Sequence, residues 1–297
     1  MRFDAIIVGG GPAGLSAALL LGRCRRSVAL IDDGRPRNAV SSHAHGFFTR
    51  EGTPPLELLR IGREQLAPFD VISFKATALD VQAKKDGFTV TLSTRKIVTG
   101  RKLLLATGLK DELPPVEGIE AFYGKSVFHC PYCDGWEMRD LPLAAYGQGH
   151  EGAEFAMGLK VWSDDVILCT NGVRRMPAAA KAALDRHGIR VHVEPIARLE
   201  GRKGMLQRIV FDHGAVEERR ALFFHPTTAQ RSPLAAQLGL DFNLRGAVRT
   251  GTFESTKLPG VYVAGDASKD VTLISVAVAE GTKAAFAINR ALRMEDF

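Results

Sequence analysis

No stretch of the chain approaches the roughly 18 to 20 uninterrupted apolar residues that a membrane-spanning helix requires. The nearest run, around Leu15 to Leu21, ends in Gly22 and Arg23, so no membrane partner is expected. The N-terminus lacks the basic, apolar and small-residue order of a signal peptide, because Phe3-Asp4-Ala5-Ile6-Ile7-Val8 runs straight into glycines. A mature chain starting at Met1 and working in the cytoplasm is the expectation. Cysteine is scarce: four in 297 residues are too few for a disulfide-built secreted scaffold. Two of the four are concentrated in Cys130-Pro131-Tyr132-Cys133, which points to catalysis or a metal. Aromatics make up only 7%, and the 39 Lys and Arg are scattered, so a net charge of +6 does not read as a nucleic-acid surface. With 45% hydrophobic and 24% charged residues, long disorder is excluded as well.

Glycine is the residue in excess, 30 in all, and it falls where loops meet helices. The apolar, β-branched run Asp4 to Val8 leads into Gly9-Gly10-Gly11-Pro12-Ala13-Gly14 and then a helical stretch, Leu15 to Gly22. A second apolar run, Val28 to Ile31, ends in Asp32 and Asp33. Strand, glycine turn, helix, strand and acid within about 30 residues is a dinucleotide-binding pattern. Gly9, Gly11 and Gly14 supply a tight turn, close backbone approach to a pyrophosphate, and close packing of helix on strand, while the helix N-terminal amides face the phosphates.

Arg35 to Gly52, with Asn38, His43, His45 and Phe47-Phe48, reads as a long functional loop. Leu56 to Leu66 looks helical. Val71 to Phe74, Phe88 to Leu92 and Ile97 to Val98 alternate apolar and polar residues, which predicts a small antiparallel β meander. Leu103 to Ala106 is a buried strand ending at Thr107-Gly108, and Leu113-Pro114-Pro115-Val116-Glu117-Gly118 reads as a linker. Beyond it the strand Leu143 to Tyr146 is followed by Gly147, Gly149 and Gly152, a helix over Ala153 to Lys160, and a strand, Val166 to Cys169. This repeats the first pattern about 135 residues later. The region from Leu244, with the strand Gly260 to Ala264, then Gly265-Asp266 and a helix from Thr272 to Leu292, reads as a return to the first domain. Asp266 then sits at a strand's carboxyl end, where open α/β sheets bind ligands. The expected fold is α/β, with two Rossmann-like dinucleotide-binding domains, the second inserted into the first, and a small antiparallel β meander. The expected boundaries are 1–116, 117–243 and 244–297.

Two thiols separated by two residues can close a strained, readily reduced disulfide, which makes a two-electron switch. Zinc needs about four ligands and no second pair is present, so no metal is expected. Asp134 is placed to shuttle the proton that a leaving thiolate needs. His129 has two readings, lowering a thiol pKa or serving as an ordinary surface histidine. Cys24 and Cys169 read as buried small hydrophobes, and Trp136 as packing at a domain interface.

The triad Gly9, Gly11, Gly14, the strand end Ala106-Thr107-Gly108, the run Cys130 to Gly135 and Ala264-Gly265-Asp266 resemble, in that order, the low-molecular-weight thioredoxin reductases. The likeness extends to their relatives among the two-domain flavoprotein disulfide reductases and covers nearly the whole chain. It implies FAD on the first domain, with Pro12 and Ala13 in its glycine turn, Asp32 and Asp33 near the adenine ribose, and Asp266 on the ribityl chain. Arg37, Asn38 and His45 fall in the loop that reaches the flavin in relatives, Asn38 and His45 being open also to a turn-capping role. It further implies that Cys133 faces the flavin while Cys130 attacks the substrate disulfide. The implied assembly is a homodimer, and the implied partner a thioredoxin-like protein or a small disulfide or dithiol.

The second domain is similar to a pyridine-nucleotide domain, with Gly147, Gly149, Gly152, Arg174 and Arg175 as its candidate site, but it departs from the NADPH-using pattern. Thr170 to Met176 replace the usual basic cluster, Arg174 and Arg175 are displaced by about two positions, and no acid stands ready for a NAD ribose. His150 and Glu151 stand where small or hydroxylated residues usually meet the pyrophosphate, and a carboxylate repels it. Leu273 and Ile274 replace an Arg-Gln pair. These departures resemble a side branch that includes dithiol oxidases of disulfide-containing natural products and reductases fed by other donors, whereas Asp134 keeps the thioredoxin-reductase choice. The reading is an FAD enzyme exchanging two electrons between flavin, the Cys130/Cys133 pair and an external disulfide or dithiol, with NADPH left open as donor. The alternatives are an oxygen-dependent dithiol oxidase and, from another class, a non-catalytic flavin-binding redox sensor.

Overall fold

The computed structural model describes residues 2–268 and 271–297. The chain starts with β1 (Arg2–Val8), whose near-continuous burial is what a parallel strand covered on both faces requires. α1 (Pro12–Arg23) follows, with Pro12 where its fixed φ suits a helix start and its missing N–H is not needed. β2 (Val28–Asp32) returns parallel to β1, Ala5 opposite Val28. Next come α2 (Pro55–Glu64), β3 (Val71–Lys75), β4 (Ala78–Lys84), β5 (Gly87–Leu92), β6 (Ile97–Leu105) and β7 (Leu109–Glu112). The sheet order is β3-β2-β1-β6-β5-β4. β3 runs parallel to β2 at the sheet edge, Val28 opposite Val71, so the expected assignment of Val71 to Phe74 to the meander is corrected. The meander's first strand is instead β4, a polar and largely exposed strand with a weak apolar alternation. Ile97-Val98 and Leu103 to Leu105 belong to one nine-residue strand, β6.

The intervening segment contributes α3 (Ile119–Phe122), β8 (Val127–Phe128), α4 (Pro131–Asp134), β9 (Leu143–Tyr146), α5 (Gly149–Leu159), β10 (Val166–Cys169) and α6 (Ala178–Arg186). It continues with β11 (Arg190–His192), β12 (Ile196–Arg202), β13 (Met205–Phe211), β14 (Val216–Glu218) and β15 (Ala221–Phe224). An all-parallel sheet runs β11-β10-β9-β15-β8, and β12-β13-β14 form an antiparallel meander of their own. The buried cluster around Leu143, Ala145, Leu168, Leu184 and Phe223 seats α5 and α6 on the parallel sheet.

The chain then returns through β16 (Thr227–Gln230), which pairs with β7, and through α7 (Leu234–Gln237), β17 (Val261–Val263) and α8 (Ile274–Asp296). β6 is shared along its length: on one edge its first half takes β5, Gly100 opposite Phe88, and its second half takes β17, Leu103 opposite Val261. Two compact units result, one formed by the chain up to Ala39 with Gly46–Asp111 and Thr228–Phe297, the other by Val40–His45 with Glu112–Thr227. The return comes sixteen residues before the expected Leu244, because Leu234, Ala235 and Leu240 are buried in the core of the first unit. Val40–His45 lies with the second unit, where Val40 backs onto Gly124 so closely that a Cβ there would sit 2.6 Å from its carbonyl oxygen. Among the described residues, no helix is long and apolar enough to cross a membrane.

α8 covers α1 through small residues. A Cβ at Gly281 would lie 2.0 Å from the backbone oxygen of Ala13, and Ser16 Oγ reaches Val278 O at 3.0 Å and Thr282 Oγ1 at 2.8 Å. At the far end, Asp296 accepts from Arg26 at 2.6 Å and pairs with Arg101 at 2.7 Å. Gly281→Ala should therefore cost about 2 kcal/mol or more by backbone overpacking. Gly158→Ala, on an exposed helical position with open space, should instead stabilise by about 0.5 to 1 kcal/mol. Denaturation midpoints of both variants check this, and an unchanged midpoint for Gly281→Ala contradicts the close approach.

Candidate functional site

In the first unit the end of β1 turns sharply into α1. Gly9 has φ +111, and a Cβ on it would stand 2.1 Å from Ala106 O, so only glycine fits there. Gly11 is different: a Cβ on it would meet nothing within 4 Å, which leaves an open backbone face at the start of α1. No side chain caps that helix and no acid stands in its first turn. An uncapped helix start beside an open glycine is suited to an anion such as a pyrophosphate. Asp32, at the end of β2, accepts from the Gly10 N–H at 3.1 Å and from Arg63 at 3.0 Å. Asp33 is ion-paired with Arg35 at 2.7 Å and held below the ordinary carboxylate range: its partial burial, which would raise it, is outweighed by hydrogen bonds from the Arg35 side chain and N–H and then by the Arg231 and Arg35 charges.

Arg37 opens a short 3₁₀ turn, Arg37–Val40, which also carries Asn38, inside the stretch read as a loop. Its guanidinium forks onto Asp111 at 2.9 and 2.5 Å and donates to Asp266 Oδ2 at 2.9 Å. Burial disfavours that charge, but the two carboxylates override it and raise the Arg37 pKa further. Asp266 follows Gly265, whose φ is +77 and whose N–H donates to the buried Glu280 at 2.8 Å. Asp111 and Glu280 were not singled out from the sequence. The signal for Asp111 was its position three residues past Thr107-Gly108; Glu280, on α8, gave none beyond its neighbour Gly281.

In the second unit Cys130 and Cys133 form a disulfide with Cα atoms 5.2 Å apart, and both residues are half-buried. Cys130 immediately precedes α4, and Asp134 ends it. Burial pushes the Asp134 carboxyl up to about 7, His45 pulling it down and Glu137 adding to the rise. His45 Nδ1 lies 3.6 Å from Glu137 Oε1, so this histidine of the long loop is found beside the Asp134 region. His129 Nδ1 is bonded to the Tyr123 hydroxyl at 3.1 Å. Trp136, expected to pack at an interface, is 66% exposed with the Arg139 guanidinium 4.2 Å over its ring. Cys169 is fully buried, and its thiol is pushed up to about 12 by that burial. Cys24, expected to be buried as well, is only half-buried because it caps the end of α1.

The second glycine turn joins β9 to α5, which starts at Gly149 rather than Ala153. Gly147 and Gly152 face each other too closely for a side chain on either, and Gly149 has an open face at φ +58. Arg174 and Arg175 are both exposed beyond β10.

A family model described as pyridine nucleotide-disulphide oxidoreductase matches residues 3–281. A probable thioredoxin reductase of Arthroderma benhamiae is 32% identical over 99% of this chain and 81% of its own. The thioredoxin reductase sirT of Leptosphaeria maculans is 31% identical over 97% of this chain and 93% of its own. The crystal structure of TrxB from Bacillus anthracis is 32% identical, covers 99% of this chain and 100% of its own, and superposes with a TM-score of 0.94. The FAD-type turn is open to a direct check. A Cβ at Gly11 meets no protein atom within 4 Å, so Gly11→Ala should leave the fold intact yet weaken FAD binding to apoprotein at least about tenfold in a fluorescence titration. The family's cofactors are FAD and NAD(P)H, and the chain belongs to it, as an FAD-dependent disulfide oxidoreductase of the thioredoxin reductase kind.

Proposed function

We propose that the Cys130/Cys133 pair exchanges two electrons with an external disulfide or dithiol, carried by a thioredoxin-like protein or a small molecule, with Asp134 moving the proton. The observation that carries this reading is the closed disulfide next to a carboxyl held near neutrality by burial. A group with a pKa near the working pH is an efficient proton carrier. In the reducing direction the Cys130 thiolate attacks one sulfur of the external disulfide, and the other sulfur leaves as a thiol with a proton from Asp134. Cys133 then attacks the Cys130 sulfur, which releases the second external thiol and closes the Cys130–Cys133 bond. Run backwards, the same steps oxidise an external dithiol and open that bond.

FAD, when bound, supplies or collects the two electrons. The residues proposed to hold it are the turn Gly9, Gly11, Pro12, Ala13 and Gly14 for the phosphates, with Asp32 and Asp33 for the adenine ribose. Asp266 would take the ribityl chain, held in place by Arg37, with Asn38, Ala106, Thr107, Gly108 and Gly265 around it. The open face of Gly11 and the uncapped start of α1 support that assignment. The resemblance extends the reading to a homodimer, and a cytoplasmic location is part of the same proposal.

Cys130→Ser and Cys133→Ser should each reduce multiple-turnover thiol–disulfide conversion to background while the protein keeps its flavin, and turnover surviving either change refutes the assignment. Asp134 is protonated below about 7. Disulfide reduction, which takes a proton from it, should fall as pH rises through that value; dithiol oxidation, which gives it a proton, should rise over the same range. Asp134→Asn should remove the inflection in either direction and slow the reaction about 100-fold. An unchanged pH–rate profile would assign the proton to another group.

A further inference from the structure

We infer that the second unit does not read the adenosine half of a pyridine dinucleotide, so that NADPH and NADH bind this protein too weakly to be its electron source. In an open parallel sheet such a ligand lies across the carboxyl ends of the strands where their order reverses, with its diphosphate on the glycine turn and its ribose gripped at the end of the second strand. Here the reversal falls between β9 and β15, and the second strand is β10. The diphosphate turn keeps its shape, through Gly147, Gly152 and the open face of Gly149. Apart from the exposed Arg174 and Arg175, the polar groups around it are committed to the protein itself.

Gln148 immediately precedes α5, and its Nε2 donates to Thr170 O at 3.4 Å, so the side chain crosses from the glycine turn to the end of β10. That is the ground an adenosine ribose would cover. Thr170 is 2% exposed and its hydroxyl donates to Val173 O at 2.6 Å. Both ends of the Asn171 amide are used: Nδ2 donates to the Tyr146 hydroxyl at 3.1 Å, and Oδ1 accepts from the Ile196 N–H at 2.8 Å. An amide fixed in this way offers neither the carboxylate that accepts from a ribose hydroxyl nor the cation that meets a 2′-phosphate. Arg174 and Arg175 are exposed cations just beyond β10. Glu194, held below the ordinary carboxylate range by its own backbone N–H and then by His213, His192 and Arg174, adds a negative charge on the same side as Arg174. Glu151 stands in the first turn of α5, where its negative charge takes up the positive helix end that a diphosphate would use.

The first unit is an internal control. Its helix start carries no acid, its Gly11 is open, and its second strand ends at Asp32 with Asp33 next in the chain, carboxylates that keep spare acceptor sites beside their bonds to Gly10, Arg63 and Arg35. One chain thus holds two copies of the same turn, one equipped for a dinucleotide and one not.

The test is calorimetric titration of the flavin-loaded protein with NADPH and then NADH at low salt. The expected result is no saturation by either up to about 1 mM, and a dissociation constant below about 50 μM for either nucleotide overturns the inference. The double variant Gln148→Ala/Glu151→Ser should bind NADPH at least about tenfold more tightly, since it frees the ribose ground and removes the repelling charge. No gain, with flavin content and melting temperature unchanged, refutes the role given to these two side chains. Dithiothreitol added to the unmodified protein, followed by a thiol count, tests the thiol–disulfide reading separately: failure to open the Cys130–Cys133 bond counts against that reading and leaves the nucleotide result standing.

Discussion

Backbone packed directly on backbone, around the first turn of α1, is the constraint from which the first unit is built. Added Cβ atoms at Gly9, Gly14 and Gly281 would fall 2.1, 1.8 and 2.0 Å from the backbone oxygens of Ala106, Gly9 and Ala13. The end of β1, the start of α1, the end of β6 and the middle of α8 therefore meet at one place, though they are far apart in sequence. No side-chain rearrangement relieves contacts of this kind, since interiors are already close-packed. Glu280, next to Gly281, then fixes the Gly265 amide. The surface read as flavin-binding is thus held by the same helix turn that fixes the packing.

The parallel cores and both glycine turns were legible because they are written locally. A β-branched run, a glycine cluster and an apolar helix follow one another within a short stretch and leave little choice of structure. β4 was missed because it is largely exposed, so its residues are polar and its alternation is faint. β3 was assigned to the meander because pairing partners are not written in a strand of five residues; its parallel pairing with β2 depends on α2, which lies between them in the chain. The early return at Thr228 was hidden by two four-residue elements, β16 and α7, too short to show a period.

At the sites, residues embedded in motifs were visible and their supporting partners were not. Cys130, Cys133, Asp134 and Asp266 announce themselves by spacing. Asp111 matters only because a guanidinium 74 residues earlier forks onto it. The conflict of Glu151 with a phosphate could be read from position alone, but the commitment of Asn171 to Tyr146 and Ile196 required coordinates. The long loop gave the least: its Arg37 stays with the first unit while Val40–His45 joins the second.

The pairing of β7 with β16 has a consequence for the chain as a modular object. The segment Glu112–Thr227 departs and comes back through neighbouring strands, so its two ends are held side by side. A graft with adjacent ends makes small demands on its host. Closing such an excursion carries an entropy that grows by only about 0.6 kcal/mol for each doubling of its length, so it can be lengthened, shortened or exchanged at little thermodynamic expense. The host sheet is completed by β17 from beyond the graft, paired directly to β6, so its strand pairing does not run through the excursion. A chain wired in this way is free to exchange its insert without redesigning the fold that surrounds the first glycine turn.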